Sequence, residues 1–408
     1  MNICVVGSSK KFYSGISAYT VVMANALARN GHNVSVVLLR NLVPLVLYPG
    51  RERVGKHEML TDFLPEIDVF KGMDWNSPRS WLQANRFIRQ HHPDVIIMHW
   101  WTSTVAHMQI FLALTRFFTG RPWPERGSVE RCKKISDKPV LLLEMHEVID
   151  PLEESILPIR IYSRIAGKGL LGLCDGYIAH SEDAISAVSR TYNIMENKIF
   201  NVHMGPCNNY VQCRDSGVKS ETEPSLSNHF IILSFGSIRK YKGISFLLRA
   251  FSLLPNEVAH YSKLLIAGED WGDDQDIYSI INESPHKEQI IFRPGFVADK
   301  EVSRYFSAAD VVVLPYLRTC GSGVVSVALS YGKSIISSDL PTMRETLSGY
   351  EGAKFFPSGD VEALKGRILE FFMDGKNGGV KEYSYAGITW DKSIEMYEKV
   401  IHATRRRL

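Results

Sequence analysis

Short runs of apolar residues alternate along the chain with longer stretches in which apolar residues recur every three or four positions. The opening shows one such unit, with a strand over residues 3–6, a polar loop, a helix over 16–29 and a strand over 34–39. Further strands are predicted over residues 94–99, 140–145 and 176–180, with a helix over 182–192. Because the apolar runs are continuous, they indicate strands covered on both faces, and therefore a parallel sheet wrapped by helices.

The same rhythm resumes after a polar stretch over residues 208–228, which is broken by Gly217 and Pro224 and is interpreted as an interdomain linker. Strands are predicted beyond it over 230–235, 264–267, 290–292, 311–314 and 334–337, and helices over 244–254, 302–309, 324–331, 360–372 and 392–404. The predicted fold class is therefore α/β, with two doubly wound Rossmann-like domains over residues 1–207 and 229–385. Since such sheets bind ligands beyond the carboxyl ends of their strands, we expect a cleft between the two halves to hold the site.

The composition of the chain excludes several classes of protein and of binding partner. The 408 residues are 45% hydrophobic and 22% charged, which excludes wholesale disorder. A net charge of +3 is too balanced for a dedicated nucleic-acid binder, so no nucleic-acid partner is expected. Six cysteines without a CxxC pair are typical of reduced thiols in a cytoplasmic protein. No signal peptide or run of about 18 apolar residues is visible, so we expect a soluble protein that at most contacts a membrane surface.

Three loops at predicted strand ends carry phosphate-binding chemistry. The first, GSSKKFYSGIS, contains Gly15 and leads into a helix N-terminus, which attracts anions, although any doubly wound protein needs such a turn. In the second, FGSIRKYKG, the predicted strand ends at Gly236, and Arg239 and Lys242 follow it three residues apart. A guanidinium fork beside an ammonium group suits a diphosphate, and the alternative is a solvated basic turn.

The third loop, TCGSGVV, precedes an apolar helix. Gly321, Ser322 and Gly323 leave several backbone N–H groups where a phosphate can bind. Ser322 can equally serve as the N-cap of that helix, and the two roles are compatible.

Other polar positions have two interpretations each. His146 ends a buried strand, where it either faces the expected cleft or fills a core position. The acidic cluster GDDQD, with Asp273, Asp274 and Asp276, resembles a metal-binding pattern but is more typical of a helix N-terminus. His99 and the two tryptophans after it suit either stacking on a sugar or core packing.

Together, these motifs resemble the retaining GT-B-fold glycosyltransferases of family 4, also called glycosyltransferase group 1. The similar segments run almost end to end: SGIS and NGHNVSVV, HPDVIIMHW, PVLLLEMHEV, DGYIAHSEDA, FGSIRKYKG, LLIAGEDW, FRPGFV, AADVVVLPY, SYGKSIISSDLP and ITWDKSIEMY. Each is a weak signal by itself, but their shared order is specific. The resemblance implies a GT-B fold whose C-terminal segment, residues 386–408, forms a helix that crosses back to the N-terminal domain.

The resemblance also implies a function. It is transfer of a hexose-type sugar from a nucleotide-diphosphate sugar, such as a UDP- or GDP-sugar, with retention of anomeric configuration and without a metal. The acceptor would be a glycan, a lipid-linked sugar or a small molecule. Arg239 and Lys242 would bind the donor diphosphate, and His146 would lie beside the transferred sugar. The donor-binding residues implied by the resemblance are Gly15, Gly236, Arg239, Lys242, Gly268, Thr319, Gly321, Ser322, Gly323 and Val324.

The sequence departs from the family at one place. Two glutamates eight positions apart are usual there, and this chain has Thr319 and Val327 at those positions. A catalytically silent GT-B protein that assists an active transferase is therefore the alternative hypothesis. Residues 111–134 mix aromatic and basic side chains, which suits either an anionic membrane surface on the cytoplasmic side or an ordinary basic loop.

Overall fold

The computed structural model describes residues 1–9, 11, 14–42, 54–55, 61–116, 138–148, 157–206, 229–319, 321–378, 383–385, 387 and 389–408. The chain divides into two compact units. Unit 1 contains residues 1–205 together with 388–408, and unit 2 contains residues 206–387. The predicted linker over 208–228 lies outside the described residues.

Unit 1 is built on a seven-stranded sheet in which every described pairing is parallel. Its strands are β1 (Asn2–Ser8), β2 (Asn33–Asn41), β3 (Asp68–Asp74), β4 (Val95–Trp100), β5 (Val140–Met145), β6 (Gly176–Ala179) and β7 (Ile199–Asn201), in the order β3-β2-β1-β4-β5-β6-β7. Its helices are α1 (Gly15–Arg29), α2 (Pro78–Gln90), α3 (Ala106–Thr115), α4 (Leu157–Leu171) and α5 (Glu182–Tyr192). The strand order reverses direction at β1, which makes this a doubly wound sheet.

Consecutive residues of the central strands enter two different cores. Val6 and Ile96 pack in a hydrophobic cluster on one side of the sheet, whereas Val5 and Ile97 pack in a cluster on the other. All four side chains are at most 1% exposed. Because both faces are covered, most positions of these strands are apolar, which explains the continuous runs in the sequence.

Unit 2 repeats the architecture with a six-stranded parallel sheet. Its strands are β8 (Phe230–Phe235), β9 (Ser262–Gly268), β10 (Ile290–Pro294), β11 (Val311–Leu314), β12 (Ser334–Ser338) and β13 (Ala353–Phe356), in the order β10-β9-β8-β11-β12-β13. Its helices are α6 (Ile244–Ser252), α7 (Asn256–His260), α8 (Asp276–Glu283), α9 (Asp299–Ala308), α10 (Gly323–Ser330), α11 (Pro341–Thr346) and α12 (Val361–Gly378). The predicted fold class, two Rossmann-like α/β domains, is thereby confirmed.

The last helix, α13 (Trp390–Arg405), belongs to unit 1 although unit 2 precedes it in the chain. The Ser393 hydroxyl donates to the carbonyl oxygen of His203 at 2.8 Å, and Tyr397 is fully buried in a unit 1 core cluster. A Cβ added to Gly205 would lie 2.4 Å from the Trp390 ring, so this contact requires glycine. In the described part of the chain, no helix combines the length and the apolar character needed to span a bilayer.

Candidate functional site

Two strand ends in unit 2 approach each other so closely that both carry glycine. Gly236 follows β8 with φ of 104°, and Gly268 ends β9. A Cβ added to Gly268 would lie 1.7 Å from the carbonyl oxygen of Gly236, and one added to Gly236 would lie 3.2 Å from Cγ2 of Val324. The structure therefore brings together three of the predicted donor-binding residues at the carboxyl end of this sheet.

The loop after β8 fixes the guanidinium of Arg239. Its side chain is 7% exposed, and Nε donates to Oδ2 of Asp273 at 3.3 Å. Its Cζ lies 4.6 Å from the centroid of the Trp271 ring. The backbone N–H of Lys240 donates to Oδ1 of Asp273 at 2.8 Å, while the Lys240 side chain is exposed. One carboxylate thus holds both the arginine and the loop that carries it.

Three cationic side chains surround the ring of Tyr241. Arg239 Cζ, Lys242 Nζ and Arg318 Cζ lie 5.4, 5.3 and 5.4 Å from its centroid. Arg318 was not predicted from the sequence, although a basic residue in the loop after β11, next to TCGSG, was a signal that could have identified it. Three positive charges around one point create a strongly positive local potential, which favours binding of a multiply charged anion.

The glycine-rich loop adjoins the same cations. Lys242 Nζ lies 3.8 Å from the centroid of the Tyr316 ring, and the Tyr316 hydroxyl is 3.1 Å from Oγ of Ser322. Ser322 has an extended backbone before α10 but its side chain makes no capping hydrogen bond, so its hydroxyl is used toward Tyr316. A Cβ added to Gly323 would meet no atom within 4 Å, which leaves open space at the positive end of this helix.

The positions that the resembled family fills with glutamates have local roles here. The Thr319 hydroxyl donates to the carbonyl oxygen of Gly321 at 2.7 Å and accepts from its N–H at 3.1 Å. Val327 is 6% exposed in a core cluster of unit 2. Neither position supplies a carboxylate, and the Thr319 contacts stiffen the loop before α10.

Gly15 lies in unit 1, whereas the other predicted donor-binding residues lie in unit 2. It is the exposed first residue of α1, and a Cβ added to it would meet no atom within 4 Å. The acidic cluster of unit 2 follows the helix interpretation, because Asp276 is the first residue of α8. Trp100 is 3% exposed within the core of unit 1, which favours packing over sugar stacking.

Unit 1 gathers a second set of polar side chains at the carboxyl ends of three adjacent strands, which we call the histidine cluster: His99, Glu144, His146 and His180. His99 lies on β4 opposite Glu144 on β5, and His146 and His180 directly follow β5 and β6. The His146 ring centroid is 5.0 Å from those of both His99 and His180, and its side chain is 6% exposed. From the sequence, His146 beside Glu144 and His99 were two separate candidates, and His180 was not among the candidates.

Burial controls the electrostatics of the histidine cluster. Glu144 is fully buried, and its Oε1 accepts hydrogen bonds from the hydroxyls of Tyr19 and Tyr397 at 2.7 and 2.5 Å. Burial raises the pKa of Glu144 to about 7, although the two hydroxyls act in the opposite direction. Burial also lowers the pKa of His99 to about 3 and that of His180 to about 4.

Comparison with known proteins gives a partial match in sequence and a full-length match in fold. Residues 218–386 match the family described as "Glycosyl transferases group 1". O-antigen chain mannosyltransferase B of Escherichia coli is 25% identical over 142 residues, which are 35% of this chain and 36% of the relative. Alpha-galactosylglucosyldiacylglycerol synthase of Streptococcus pneumoniae is 27% identical over 158 residues, which are 38% of this chain and 40% of the relative. The chain thus matches less than half the length of either relative.

Among solved structures, Anabaena HepE in complex with UDP aligns with a TM-score of 0.58 at 14% identity, covering 100% of this chain and 98% of that one. The catalytic domain of starch synthase IV from Arabidopsis thaliana, bound to ADP and acarbose, aligns with a TM-score of 0.65 at 11% identity, covering 99% of both chains. At these identities the likeness concerns the fold alone, and the fold is the GT-B fold.

Proposed function

We propose that this protein is a glycosyltransferase that uses a nucleotide-diphosphate sugar as donor. The observation that carries this proposal is the convergence of Arg239, Lys242 and Arg318 on Tyr241, beside the N-terminus of α10. The convergence lies within the segment that matches the glycosyltransferase group 1 family, and a diphosphate carries the negative charge that it suits.

Both the cationic side chains and the N-terminus of α10 bind the diphosphate. Arg239 is oriented by Asp273 and presents a planar fork to phosphate oxygens, while Lys242 and Arg318 add point and delocalised charge. The N–H groups of Gly323 and Val324 bind a phosphate oxygen at the start of α10. When the bond to the sugar breaks, negative charge builds on the leaving diphosphate, and these groups stabilise it without needing to reorganise.

We propose in addition that transfer retains the anomeric configuration, concerns a hexose and proceeds without a metal at the diphosphate. The family resemblance supports retention, and the three cations supply the charge that a metal would otherwise bring. An NMR assignment of the product anomer tests the first point. The rate should be unchanged by added Mg²⁺ or Mn²⁺, and a dependence on either ion would overturn the proposal that no metal acts at the diphosphate.

The role of His146 beside the transferred sugar stays a proposal. It lies in unit 1, whereas all the cations proposed to bind the diphosphate lie in unit 2. His146→Ala should therefore lower kcat much more than it weakens nucleotide binding. Equal losses in both measurements would return His146 to a structural role.

A lipid-linked acceptor at the cytoplasmic membrane surface is favoured by one helix face of unit 1. Leu157, Ile161 and Ile165 are 56%, 52% and 69% exposed and recur every fourth residue along α4. Arg164 and Lys168 lie on the same side of the helix, as in helices that bind anionic bilayers. The earlier candidate, residues 111–134, lies outside the described residues from position 117 onward.

Sedimentation with anionic vesicles at low salt tests the membrane proposal. Ile161→Glu combined with Ile165→Glu should abolish co-sedimentation, since two charges would enter the apolar face. Leu253→Glu is the matched control, because Leu253 is 50% exposed but lies in unit 2. Failure of the wild-type protein to bind such vesicles would overturn the membrane proposal and leave the donor proposal intact.

A screen of UDP-, GDP- and ADP-sugars by thermal unfolding tests the donor proposal. A donor at 100 times its dissociation constant should stabilise the protein by about 2.7 kcal/mol. No stabilisation by any nucleotide sugar would contradict it. Stabilisation without turnover would instead support the silent-partner hypothesis.

A further inference from the structure

The histidine cluster contains buried polar atoms that face one another without hydrogen bonds. In the described part of the chain, Nε2 of His99, His146 and His180 and Oε2 of Glu144 have no hydrogen-bond partner. The Nε2 atoms of His99 and His180 lie 3.5 and 3.4 Å from the Glu144 carboxylate, and that of His146 lies 4.0 Å away. A buried polar atom without a hydrogen bond is destabilising, so four in one place need a physical explanation.

The hydrogen bonds around the cluster fix where the histidine protons lie. Nδ1 of His180 is 2.8 Å from the carbonyl oxygen of Val202, which can only accept. Nδ1 of His99 is 3.2 Å from the hydroxyl of Thr20, whose own hydrogen is donated to a carbonyl of α1 at 2.7 Å. In both neutral rings the proton is therefore on Nδ1, and Nε2 directs a lone pair at Glu144.

Lone pairs that face a carboxylate repel it unless a positive group lies between them. A single proton added to the cluster satisfies one of the contacts and leaves the others unsatisfied. A cation that accepts several lone pairs at once satisfies them together. Histidines that donate Nδ1–H to an oxygen and present Nε2 are the usual form of metal-ligating histidine.

We propose that His99, Glu144 and His146 bind a divalent transition-metal ion, with zinc as the preferred ion. Two imidazole nitrogens and one carboxylate oxygen are an established zinc donor set. The three ligand atoms lie within 4.8 Å of one another. Bonds of about 2.0–2.1 Å in a tetrahedron place ligand atoms about 3.4 Å apart. The His99–Glu144 distance of 3.5 Å is already close to that value, and the widest separation in the set, at most 4.8 Å, would contract by up to about 1.4 Å.

The surroundings of the proposed site support it. The hydroxyls of Tyr19 and Tyr397 hold Oε1 of Glu144, so the carboxylate is oriented by its outer neighbours, and Tyr397 comes from α13. The ion would connect β4 and β5 and, through Tyr397, the C-terminal helix. All its ligands belong to unit 1, so it does not replace the cations proposed for the diphosphate in unit 2. We therefore assign it a stabilising and positioning role. Metal binding adds to the folding free energy, and the ion would fix the orientation of the His146 ring, which is compatible with the role proposed above for that residue beside the transferred sugar.

Metal analysis of the full chain tests this proposal. Protein grown with zinc, freed of any affinity tag and dialysed should contain about one zinc per chain by plasma mass spectrometry. Replacement of zinc by Co²⁺ should give visible d–d absorption bands of a low-symmetry nitrogen and oxygen site. Glu144→Gln keeps the side-chain shape and the acceptor for both tyrosines, and should lower the metal content at least tenfold.

His286→Gln is the matched control and should retain the metal. His286 is also buried, but its Nε2 already contacts the carbonyl oxygen of Leu254 at 2.9 Å. If Glu144→Gln does not fold, His146→Asn and the cobalt spectrum of the wild-type protein decide the question. A wild-type metal content no higher than that of the variants, with no cobalt bands, would overturn the proposal and leave a cluster that shares protons only. Nucleotide binding by unit 2 is measured separately, so this failure is distinguishable from failure of the proposed function.

Discussion

Replacing Arg239 by alanine is the perturbation that tests the proposed donor site most sharply. The side chain is 7% exposed, so little water competes with a bound phosphate for its N–H groups. A hydrogen bond to a charged group contributes about 1.5–3 kcal/mol, and about 1.4 kcal/mol is a factor of ten in affinity. Arg239→Ala should therefore weaken binding of the preferred nucleoside diphosphate about 10- to 100-fold. Arg239→Lys should restore only part of it, because a point charge does not reproduce the planar fork.

Calorimetric titration of UDP and GDP is the assay, with Lys240→Ala as the control. Lys240 belongs to the same loop and carries the same charge as Lys242, but its side chain is exposed. The loop should keep its shape in every variant, because the backbone bond from Lys240 to Asp273 does not involve Arg239. Equal affinities for wild type, Arg239→Ala, Lys242→Ala and Lys240→Ala would refute the assignment of the diphosphate to this loop.

Three further predictions concern stability and are measured by thermal or denaturant unfolding. Gly268→Ala should destabilise unit 2 by about 3 kcal/mol, because the added Cβ would clash with the backbone of Gly236. Gly323→Ala is the control and should change stability by less than about 0.5 kcal/mol, because open space surrounds that position. Similar values for both variants would contradict the close approach of the strand ends. Tyr397→Phe removes a hydroxyl from a buried carboxylate and should cost about 1–3 kcal/mol, and an unchanged stability would show that this bond contributes nothing. The hydrogen bond from Arg40 lowers the pKa of Asp74 below its usual 3.8. Wild type should therefore be more stable than Asp74→Asn at neutral pH, and this difference should disappear as the pH falls through the lowered pKa of the folded state. A difference in stability that does not depend on pH would refute the ion pair.

The sequence predicts the central strands well because both of their faces are buried. The run over 140–145 is apolar at almost every position, and the observed strand is Val140–Met145. The edge strand Asp68–Asp74 was not predicted, since only its last two residues are buried and Gly72 and Lys71 interrupt its apolar pattern. An edge strand is covered by neighbours on fewer sides, so it leaves a weaker signal.

The candidate sites also differ in how far they can be predicted from the sequence. Arg239 and Lys242 are three residues apart on one loop, so their cooperation is visible in the sequence. Arg318 joins them only because β8 and β11 are adjacent in the sheet. The histidine cluster draws its members from three strand ends that span 82 residues, from 99 to 180, so the strand order had to be known before they could be placed together.

The central claim, that this chain transfers sugar from a nucleotide sugar, is tested most directly by release of nucleoside diphosphate. The wild-type protein is incubated with each UDP-, GDP- and ADP-sugar in the presence of a lipid extract and a glycan mixture as acceptors. We predict acceptor-dependent release of one nucleoside diphosphate, lowered at least tenfold in Arg239→Ala and unchanged in Lys240→Ala. No release from any donor by folded protein that binds nucleotide, or release equal in wild type and Arg239→Ala, would contradict the account.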